Sequence, residues 1–256
     1  MSTMSCARRI QLLSCRIAFC ALLSWGSSTR ADEWNWSLRW FVAAAATGTS
    51  HFLDDSVYDT FQDLHHTPPL NRTMKSAELY GGLVAPVAGL LSFPIMALVG
   101  PRSENRWYQR SKKVFSSVAI FSVTSTTLKF VVGRHRPFQG ADSSAGTPFS
   151  AKYSSFPSGH TGVAFAFSSS LAYEFDSYWV KIPLYTAAGM TGVARIYRRK
   201  HWFSDTVAAA FLGSFAALYS EQYFGPRAAS AAEAHWQLFP SLAPGITGAT
   251  LVGQFF

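Results

Sequence analysis

Long apolar segments separated by short polar loops make up most of the chain after residue 80. These segments are 80–100, 114–133, 158–175, 179–195 and 204–224. Segment 80–100 carries no charge and has about the length of a helix that crosses a bilayer, although Pro86 and Pro94 are expected to kink it. The pattern predicts an all-α fold, a bundle of about six helices.

The regions on either side of these segments have a different pattern. Residues 51–66 place apolar side chains at helical spacing with acids between them, which predicts an amphipathic helix on a surface or a membrane interface. Near the end of the chain, apolar stretches flank Ala243-Pro244-Gly245 and predict a short C-terminal β-hairpin. No motif indicates a role for residues 34–79 or 236–256.

Residues 1–31 have the features of a secretory signal peptide. Three arginines precede a nine-residue apolar run (17–25), and small residues stand where a signal peptidase would cleave after Ala31. An uncleaved anchor is the alternative, but the apolar run is too short to span a bilayer. We therefore expect a single domain over residues 32–256, with a catalytic core of about 80–224.

Charge and cysteine content narrow the class of protein. Charged residues make up 14% of the chain, against roughly 25% in soluble domains. The net charge of +8 falls to +4 without the four arginines of residues 1–31 (8 − 4), which is too small for a nucleic-acid-binding surface. All three cysteines, Cys6, Cys15 and Cys20, lie in the same segment, so we expect no disulfide in the mature chain.

Arg195, His201 and Asp205 are the first candidates for catalytic chemistry. If a helix begins near Phe203, His201 lies just before it and Asp205 lies in its first turn. A carboxylate there can hold one imidazole nitrogen and leave the other free to attack, and Arg195 supplies a cationic fork for phosphate. For this stretch alone, the alternative is a basic loop with a surface histidine.

A second pair of cations lies at the end of segment 114–133. Lys129 and Arg136 are seven residues apart, about two helical turns, so we expect both cations to face one side. A basic cluster at a membrane border is the alternative. Against it, Lys129 lies within an apolar segment, where a cation is costly unless it has a partner or an anion.

Ser158, Gly159 and His160 open the following apolar segment. Ser158 can cap the helix, and Gly159 allows a ligand to approach the first backbone amides, which form an anion site. His160 can then donate a proton to a leaving group. The alternative is an ordinary serine cap followed by a surface histidine.

Together the three motifs are specific. K-x6-R-P, P-S-G-H and R-x5-H-x3-D, in that order, resemble the phosphatidic acid phosphatase type 2 / vanadium haloperoxidase family over about 100 residues. The resemblance implies that His201 attacks phosphorus, that Asp205 orients it and that His160 protonates the leaving oxygen. The groups it implies for holding the phosphoryl oxygens are Lys129, Arg136, Arg195, Ser158 and the Gly159 amide.

One position departs from the family pattern. The third motif of the family usually opens Ser-Arg, and here Ala194 precedes Arg195. The change removes a hydroxyl beside the expected phosphate site but leaves the nucleophile. We therefore expect the phosphate site to be less finely tuned, without loss of activity.

The order of the helices predicts that the motifs meet at one end of the bundle. Segment 114–133 ends in the first motif, 158–175 begins with the second and 179–195 ends in the third. At the other end lies the loop 101–113 with five cations, which the positive-inside rule places in the cytoplasm, with the site on the periplasmic side. A soluble periplasmic bundle is the alternative, because some of the segments are short for a bilayer.

The resemblance therefore implies a metal-independent phosphatase of the bacterial envelope. It would hydrolyse a lipid phosphate, or another exported phosphate monoester or diphosphate, through a phosphohistidine, with no metal or other cofactor and no nucleic-acid partner. A vanadate-dependent haloperoxidase and a non-catalytic envelope scaffold are the alternatives. Phosphatidic acid, phosphatidylglycerol phosphate, undecaprenyl diphosphate and lipid A phosphate are all candidate substrates.

Overall fold

The fold is known here from a computed structural model of the chain. It describes residues 36–64, 67–99, 105–140, 142–175, 177–224, 236–243 and 246–253, so the predicted signal peptide lies outside the described residues. The helices are α1 (Trp36–His51), α2 (Asp54–Gln62), α3 (Pro68–Leu79), α4 (Ala85–Val99), α5 (Arg106–Val132), α6 (Gly159–Glu174), α7 (Tyr178–Tyr197) and α8 (Phe203–Phe224). A π-helical turn, Tyr80–Val84, joins α3 to α4.

The predicted helical bundle is confirmed, and α6, α7 and α8 lie within two residues of the predicted apolar segments. Three elements differ from prediction. Helix α5 begins at Arg106 rather than at residue 114, and α1 and α3 were not predicted as helices. The amphipathic helix expected over 51–66 is present as the shorter α2.

Small residues allow the central helices to pack closely. A Cβ added to Gly213 of α8 would lie 2.2 Å from the carbonyl oxygen of Gly162 in α6. On its other side, α6 receives the ring of Phe121 from α5, which is 1% exposed. Close contact of backbones through glycine is typical of helices that pack with little polar surface between them. These three helices form the core that fixes the motifs.

Within the described part of the chain, two helical stretches are long and apolar enough to cross a membrane, judged by length and composition: Pro68–Val99 and Arg106–Val132. The predicted segment 80–100 is thus the second half of a longer helix that includes α3. The π turn lies just before Pro86, which lacks an N–H and would clash with the carbonyl four residues earlier in a regular helix. The wider turn, closed by a bond from the Ala85 amide to the Tyr80 carbonyl, relieves this conflict.

The predicted cationic loop 101–113 is mostly helical, because α5 already begins at Arg106. Two of its cations are paired inside the bundle rather than exposed in a loop. Lys113 contacts Glu174 and lies 2.9 Å from a carboxylate oxygen of Glu221, and Arg110 donates to Glu174 at 2.8 Å. These ion pairs join α5, α6 and α8 at the end opposite the three motifs.

The C-terminal hairpin is also present. Strands β1 (Trp236–Ala243) and β2 (Ile246–Gly253) pair antiparallel, with Ala243 opposite Ile246. The turn residues 244–245 themselves lie outside the described part of the chain.

Candidate active site

All three motifs lie at one end of the bundle, as the helix order predicted. The first spans the end of α5, the second precedes and opens α6, and the third spans the loop between α7 and α8. The backbone amide of Ser158 donates to the carbonyl of Asp205 at 3.1 Å, which ties the second motif to the third.

The first motif is arranged differently from the prediction. Helix α5 ends at Val132, because Gly133 adopts a left-handed conformation (φ 56°) in which a Cβ would lie 1.8 Å from the Thr147 carbonyl oxygen. Arg136 therefore lies in the loop beyond the helix, and the expectation that it shares a helix face with Lys129 is wrong.

The two cations nevertheless meet, at the segment that precedes α6. Lys129 Nζ donates to the carbonyl oxygens of Ser154 (2.9 Å) and Pro157 (2.5 Å). Arg136 Nη2 lies 3.4 Å from the same Ser154 oxygen and 3.2 Å from its hydroxyl. Two of the three N–H groups of the lysine ammonium are used in this way, and the third is available to an anion.

His201 is buried and is held by a backbone carbonyl. Its Nδ1 lies 2.7 Å from the Ser155 carbonyl oxygen, whereas the nearest Asp205 oxygen is 3.7 Å away, beyond hydrogen-bond range. Because a carbonyl only accepts, Nδ1 carries the proton and Nε2 is the nitrogen with the free lone pair. The orienting contact expected from Asp205 is therefore made by Ser155, and Asp205 acts on the ring through its charge.

Burial lowers the pKa of His201 to about 4, while the Asp205 carboxylate opposes this shift and the Lys129 and Arg195 charges add to it. The imidazole is therefore neutral near pH 7, which is the state required of a nucleophile.

Asp205 is fully buried and bonded on several sides. Its Oδ2 accepts from the Ser155 hydroxyl at 2.5 Å and from the Trp202 amide at 3.0 Å, and its Oδ1 accepts from Arg134 Nη1 at 2.6 Å. These three donors keep the carboxylate ionised and fix its position beside the His201 ring.

The second motif begins α6 at Gly159, with Ser158 at the N-cap position. The Ser158 hydroxyl pairs with the Thr161 hydroxyl at 2.9 Å and makes no capping bond to the backbone, so the cap predicted from its side chain is not formed. His160 packs against the π turn: a Cβ added to Gly82 would lie 2.8 Å from its ring. Lys129, Arg136 and Arg195 all lie within electrostatic range of His160.

Arg195 lies in the last turn of α7 and is 6% exposed. Its Nη1 contacts the carboxylate of Glu78, whose other oxygen pairs with Arg198 at 2.8 Å. Its Nε is buried and has no hydrogen-bond partner among the described residues. A buried donor without a partner is costly, so this N–H is suited to an anion that enters the site.

Ala194 does not line the site as expected. It is fully buried in an apolar cluster with Met74 and Tyr197, between α7 and α3. A serine there would direct its hydroxyl toward this cluster rather than toward the phosphate site.

Four residues of the site were missed in the sequence: Asp54, Glu78, Arg134 and Ser155. Arg134 lies within the K-x6-R-P motif and Ser155 lies three residues before Ser158, so their position beside the motifs was the usable signal. Asp54 and Glu78 come from α2 and α3, and no spacing rule relates them to the motifs.

The arrangement as a whole is a cationic cradle around a buried imidazole. Cationic groups and the N-terminus of α6 surround a neutral, buried histidine whose free nitrogen is fixed in direction. Such a site can bind a phosphoryl group and stabilise the charge that develops on it during transfer.

One region of the chain matches a known protein family. The PAP2 superfamily model matches residues 111–228, a stretch that contains all three motifs. This match confirms, over residues 111–228, the resemblance that the motifs predicted.

Two curated relatives are both named lipid A 1-phosphatase. The protein from Porphyromonas gingivalis is 41% identical over 61 residues, which cover 23% of this chain and 14% of the relative. The protein from Rhizobium etli is 33% identical over 115 residues, 43% of this chain and 49% of the relative. The chain thus matches half or less of the length of these relatives.

Among solved structures, the fold is similar to that of LpxE from Aquifex aeolicus. The TM-score is 0.53 at 20% sequence identity, and the match covers 67% of this chain and 96% of that one. At this identity the similarity shows a shared fold.

Proposed function

We propose that this protein is a metal-independent phosphatase that removes phosphate from a phosphorylated lipid through a phosphohistidine on His201. The observation that carries the proposal is the state of this imidazole: it is buried and neutral, and its Nδ1–H is held by the Ser155 carbonyl. A fixed neutral imidazole within a ring of cations is the arrangement that nucleophilic attack on a phosphate ester requires.

In the first step, the lone pair of His201 Nε2 attacks phosphorus. An N–P bond forms as the P–O bond to the alcohol breaks, and the His160 imidazolium gives its proton to the departing oxygen. Burial and the Arg195 charge lower the pKa of His160 to about 4 without substrate, so His160 carries this proton once the negative phosphate is bound beside it. Positive charge develops on the His201 ring, and the nearby Asp205 carboxylate stabilises it.

In the second step, water attacks the phosphohistidine. His160 accepts a proton from this water, the N–P bond breaks, and inorganic phosphate leaves with His201 restored to its neutral form. Because each histidine ends as it began, the cycle consumes only ester and water.

The phosphoryl oxygens are held by groups from all three motifs. We assign Lys129, Arg136 and Arg195 as cationic donors, with the third N–H of Lys129 and the buried Nε of Arg195 directed to the substrate. The Gly159 amide at the N-terminus of α6, with Ser158 beside it, adds partial positive charge. Phosphoryl transfer depends mainly on positioning and charge stabilisation, which these groups supply.

A phosphorylated lipid is the substrate class that fits best, and a lipid A-type glycolipid phosphate is the first candidate. Both curated relatives are named lipid A 1-phosphatase. A membrane location would bring the site to such a lipid directly.

The surface of the helices supports embedding in a membrane. Only 11% of the apolar window in Pro68–Val99 and 28% of that in Arg106–Val132 is buried inside the protein, so their apolar side chains face outward. Along α4 the exposed residues recur at helical spacing: Val87, Leu90, Leu91, Ile95 and Leu98. A core helix of a soluble bundle would bury such a face.

Five exposed tryptophan and tyrosine residues lie at the end of the bundle opposite the site. They are Trp107, Tyr178, Trp179, Tyr219 and Tyr223. Tryptophan and tyrosine favour the border between lipid and water, so we place one membrane surface at this level. Together with the predicted signal peptide and the cations near the start of α5, this favours a cytoplasmic position for that end and a periplasmic position for the site.

Phosphate release by the purified protein in detergent and EDTA tests the proposed activity. The substrates are a lipid A phosphate, phosphatidic acid, phosphatidylglycerol phosphate, undecaprenyl diphosphate and p-nitrophenyl phosphate. We expect the lipid A phosphate to give the highest kcat/KM and His201→Ala to abolish release. A ³²P label trapped on the wild-type protein in alkali, and absent from His201→Ala, would identify the intermediate.

Other outcomes would overturn the proposal. Phosphate release that stops in EDTA and returns with a divalent cation would contradict a metal-independent mechanism. Halide oxidation that requires added vanadate would identify a haloperoxidase, and the absence of both activities would favour a scaffold.

A further inference from the structure

A buried ion network connects the candidate catalytic Asp205 to the N-terminal part of the chain. Arg134 is 7% exposed and its guanidinium lies between two carboxylates that are fully buried. Its Nη1 is 2.6 Å from Asp205 Oδ1, and its Nη2 is 2.7 Å from Asp54 Oδ2. Asp54 is the first residue of α2 and lies outside residues 111–228, the part of the chain that matches the family.

The contacts around Arg134 fix it in one position. Its Nε and Nη2 donate to the Ser143 carbonyl at 2.8 and 2.5 Å. The Ser204 hydroxyl accepts from Nη1 at 2.7 Å and donates to Asp54 at 2.6 Å, and the Ser204 amide donates to the other Asp54 oxygen at 2.7 Å. His51 Nδ1 lies beside the network, 3.0 Å from Asp54 and 3.1 Å from Arg134.

The balance of charge gives this network a consequence for catalysis. Arg134 alone would cancel the negative charge of Asp205, the group that faces the imidazolium formed during attack. Asp54 restores that charge, because two carboxylates and one guanidinium leave a surplus of one negative charge beside His201. In a buried site this surplus is little screened by water.

We propose that Arg134 and Asp54 are positioning residues of the active site. Because Asp54 begins α2, the active site is complete only with the junction of α1 and α2. Arg134 holds Asp205 at its distance from the His201 ring, and Asp54 both anchors Arg134 and returns the negative charge that Arg134 would otherwise neutralise. Neither residue touches the substrate. The inference rests on the proposed phosphatase function and deepens it.

The test compares Asp54→Asn and Arg134→Lys with wild-type protein, using the full chain and the best lipid substrate. Asparagine keeps the shape of the Asp54 side chain and an acceptor for the Ser204 amide but loses the charge. Lysine keeps the charge of Arg134 but cannot bridge two carboxylates with a planar fork. We expect kcat to fall about tenfold to a hundredfold in both variants, with KM within about twofold of wild type, because only the transition state carries the imidazolium.

Asp55→Asn is the matched control. It removes the same charge from the next residue, whose carboxylate accepts from the Ser143 hydroxyl at 3.1 Å and takes no part in the bonds to Arg134 described above. We expect its kcat and KM to stay within about twofold of wild type.

Thermal unfolding of each variant shows whether it is folded. If Arg134→Lys does not fold, the kinetics of Asp54→Asn alone test the inference. If neither variant folds, the affinity of Ser204→Ala for orthovanadate is measured instead. This variant removes only the bridging hydroxyl, and we expect its affinity to be lower than that of wild type.

The outcomes separate this inference from the proposed function. If the wild-type protein is active, the inference alone is overturned by an unchanged kcat in folded Asp54→Asn. An unchanged affinity of Ser204→Ala for vanadate has the same meaning. A rise in KM at unchanged kcat also overturns it, since that would place Asp54 in substrate binding. Wild-type protein that releases no phosphate overturns the proposed function and this inference with it.

Discussion

At the residue scale, the central feature is that a backbone carbonyl, rather than a carboxylate, holds His201. The Ser155 carbonyl fixes which nitrogen carries the proton, and the Asp205 carboxylate lies 3.7 Å from that nitrogen. Orientation and charge stabilisation are thus supplied by different groups. A substitution of Asp205 should therefore change the energy of the imidazolium more than the direction of the ring.

The first prediction concerns the pH dependence of the reaction. Since burial lowers the pKa of His201 to about 4, the ring stays neutral and nucleophilic down to that pH. Below it the lone pair of Nε2 is protonated and kcat/KM, which reports the free enzyme, should fall about tenfold per pH unit. The measurement is kcat/KM from about pH 3 to about pH 8, corrected for the separately titrated substrate.

Circular dichroism over the same range serves as the control for folding. An unperturbed histidine would begin to lose activity near pH 6.5. An acid limb at that pH in a protein that is still folded would contradict the burial of His201 that underlies the proposed mechanism.

The second prediction tests whether Gly159 is needed for phosphate to approach the site or for packing of the protein. A Cβ added there would meet only Lys129 Cε, at 3.9 Å, which is ordinary contact. Gly159→Ala should therefore leave Tm within about 2 °C of wild type. The methyl group would obstruct a phosphoryl oxygen at the first amides of α6, so the inhibition constant for inorganic phosphate should rise about tenfold. An unchanged constant would remove this amide from the phosphate site.

At the element scale, the π turn between α3 and α4 brings Gly81 and Gly82 against His160. In a regular helix Pro86 would conflict with the preceding turn, so the same wide turn that accommodates this proline also places Gly82 against the imidazole. Glu78, just before the turn, contacts Arg195. One irregular stretch of helix therefore contributes to the site at two points.

The third prediction tests this contact. Gly82→Ala would place a methyl group 2.8 Å from the His160 ring, so the ring must shift away from the leaving oxygen. We expect kcat to fall about tenfold or more. Gly48→Ala, in α1, is the matched control, because a Cβ there meets nothing within 4 Å and kcat should not change. Equal kcat in the two variants would show that His160 does not depend on the turn.

Much of the fold and part of the site could be predicted from the sequence, for reasons that particular residues show. The apolar segments after residue 114 predicted α6 to α8 because their pattern is local. The motifs predicted Lys129, His160 and His201 at one end because helix order alone fixes that. Glu78 could not be predicted, since its contact with Arg195 joins residues 117 positions apart. The path of Arg136 was missed because Gly133 ends α5 early.

At the scale of the whole molecule, polar and apolar surfaces are separated along the axis of the bundle. The cationic cradle is at one end, and five exposed tryptophan and tyrosine residues, with Trp179 89% exposed, are at the other. Between them the outward faces of α4 and α5 are apolar. This distribution matches a slab of hydrocarbon around the middle of the bundle, with the site near one membrane surface.

The last prediction concerns the orientation in that membrane. Ala151→Cys and Ser177→Cys introduce single thiols at exposed positions, the first beside the site and the second before α7 at the opposite end. They are made in a chain whose three native cysteines, all within residues 1–31, are changed to alanine. In cells whose outer membrane alone is permeabilised, a membrane-impermeant maleimide should label Ala151→Cys. Ser177→Cys should be labelled only after the inner membrane is opened, because the proposed orientation places its end in the cytoplasm.

Lysed cells provide the control, since both variants should react there to the same extent. The reverse pattern would place the cradle in the cytoplasm and contradict the proposed orientation. Equal labelling before lysis would favour the soluble periplasmic bundle, in which both ends of the helices lie in the same compartment. Neither labelled residue is a catalytic group. Their accessibility thus distinguishes a membrane-embedded protein from a soluble periplasmic bundle.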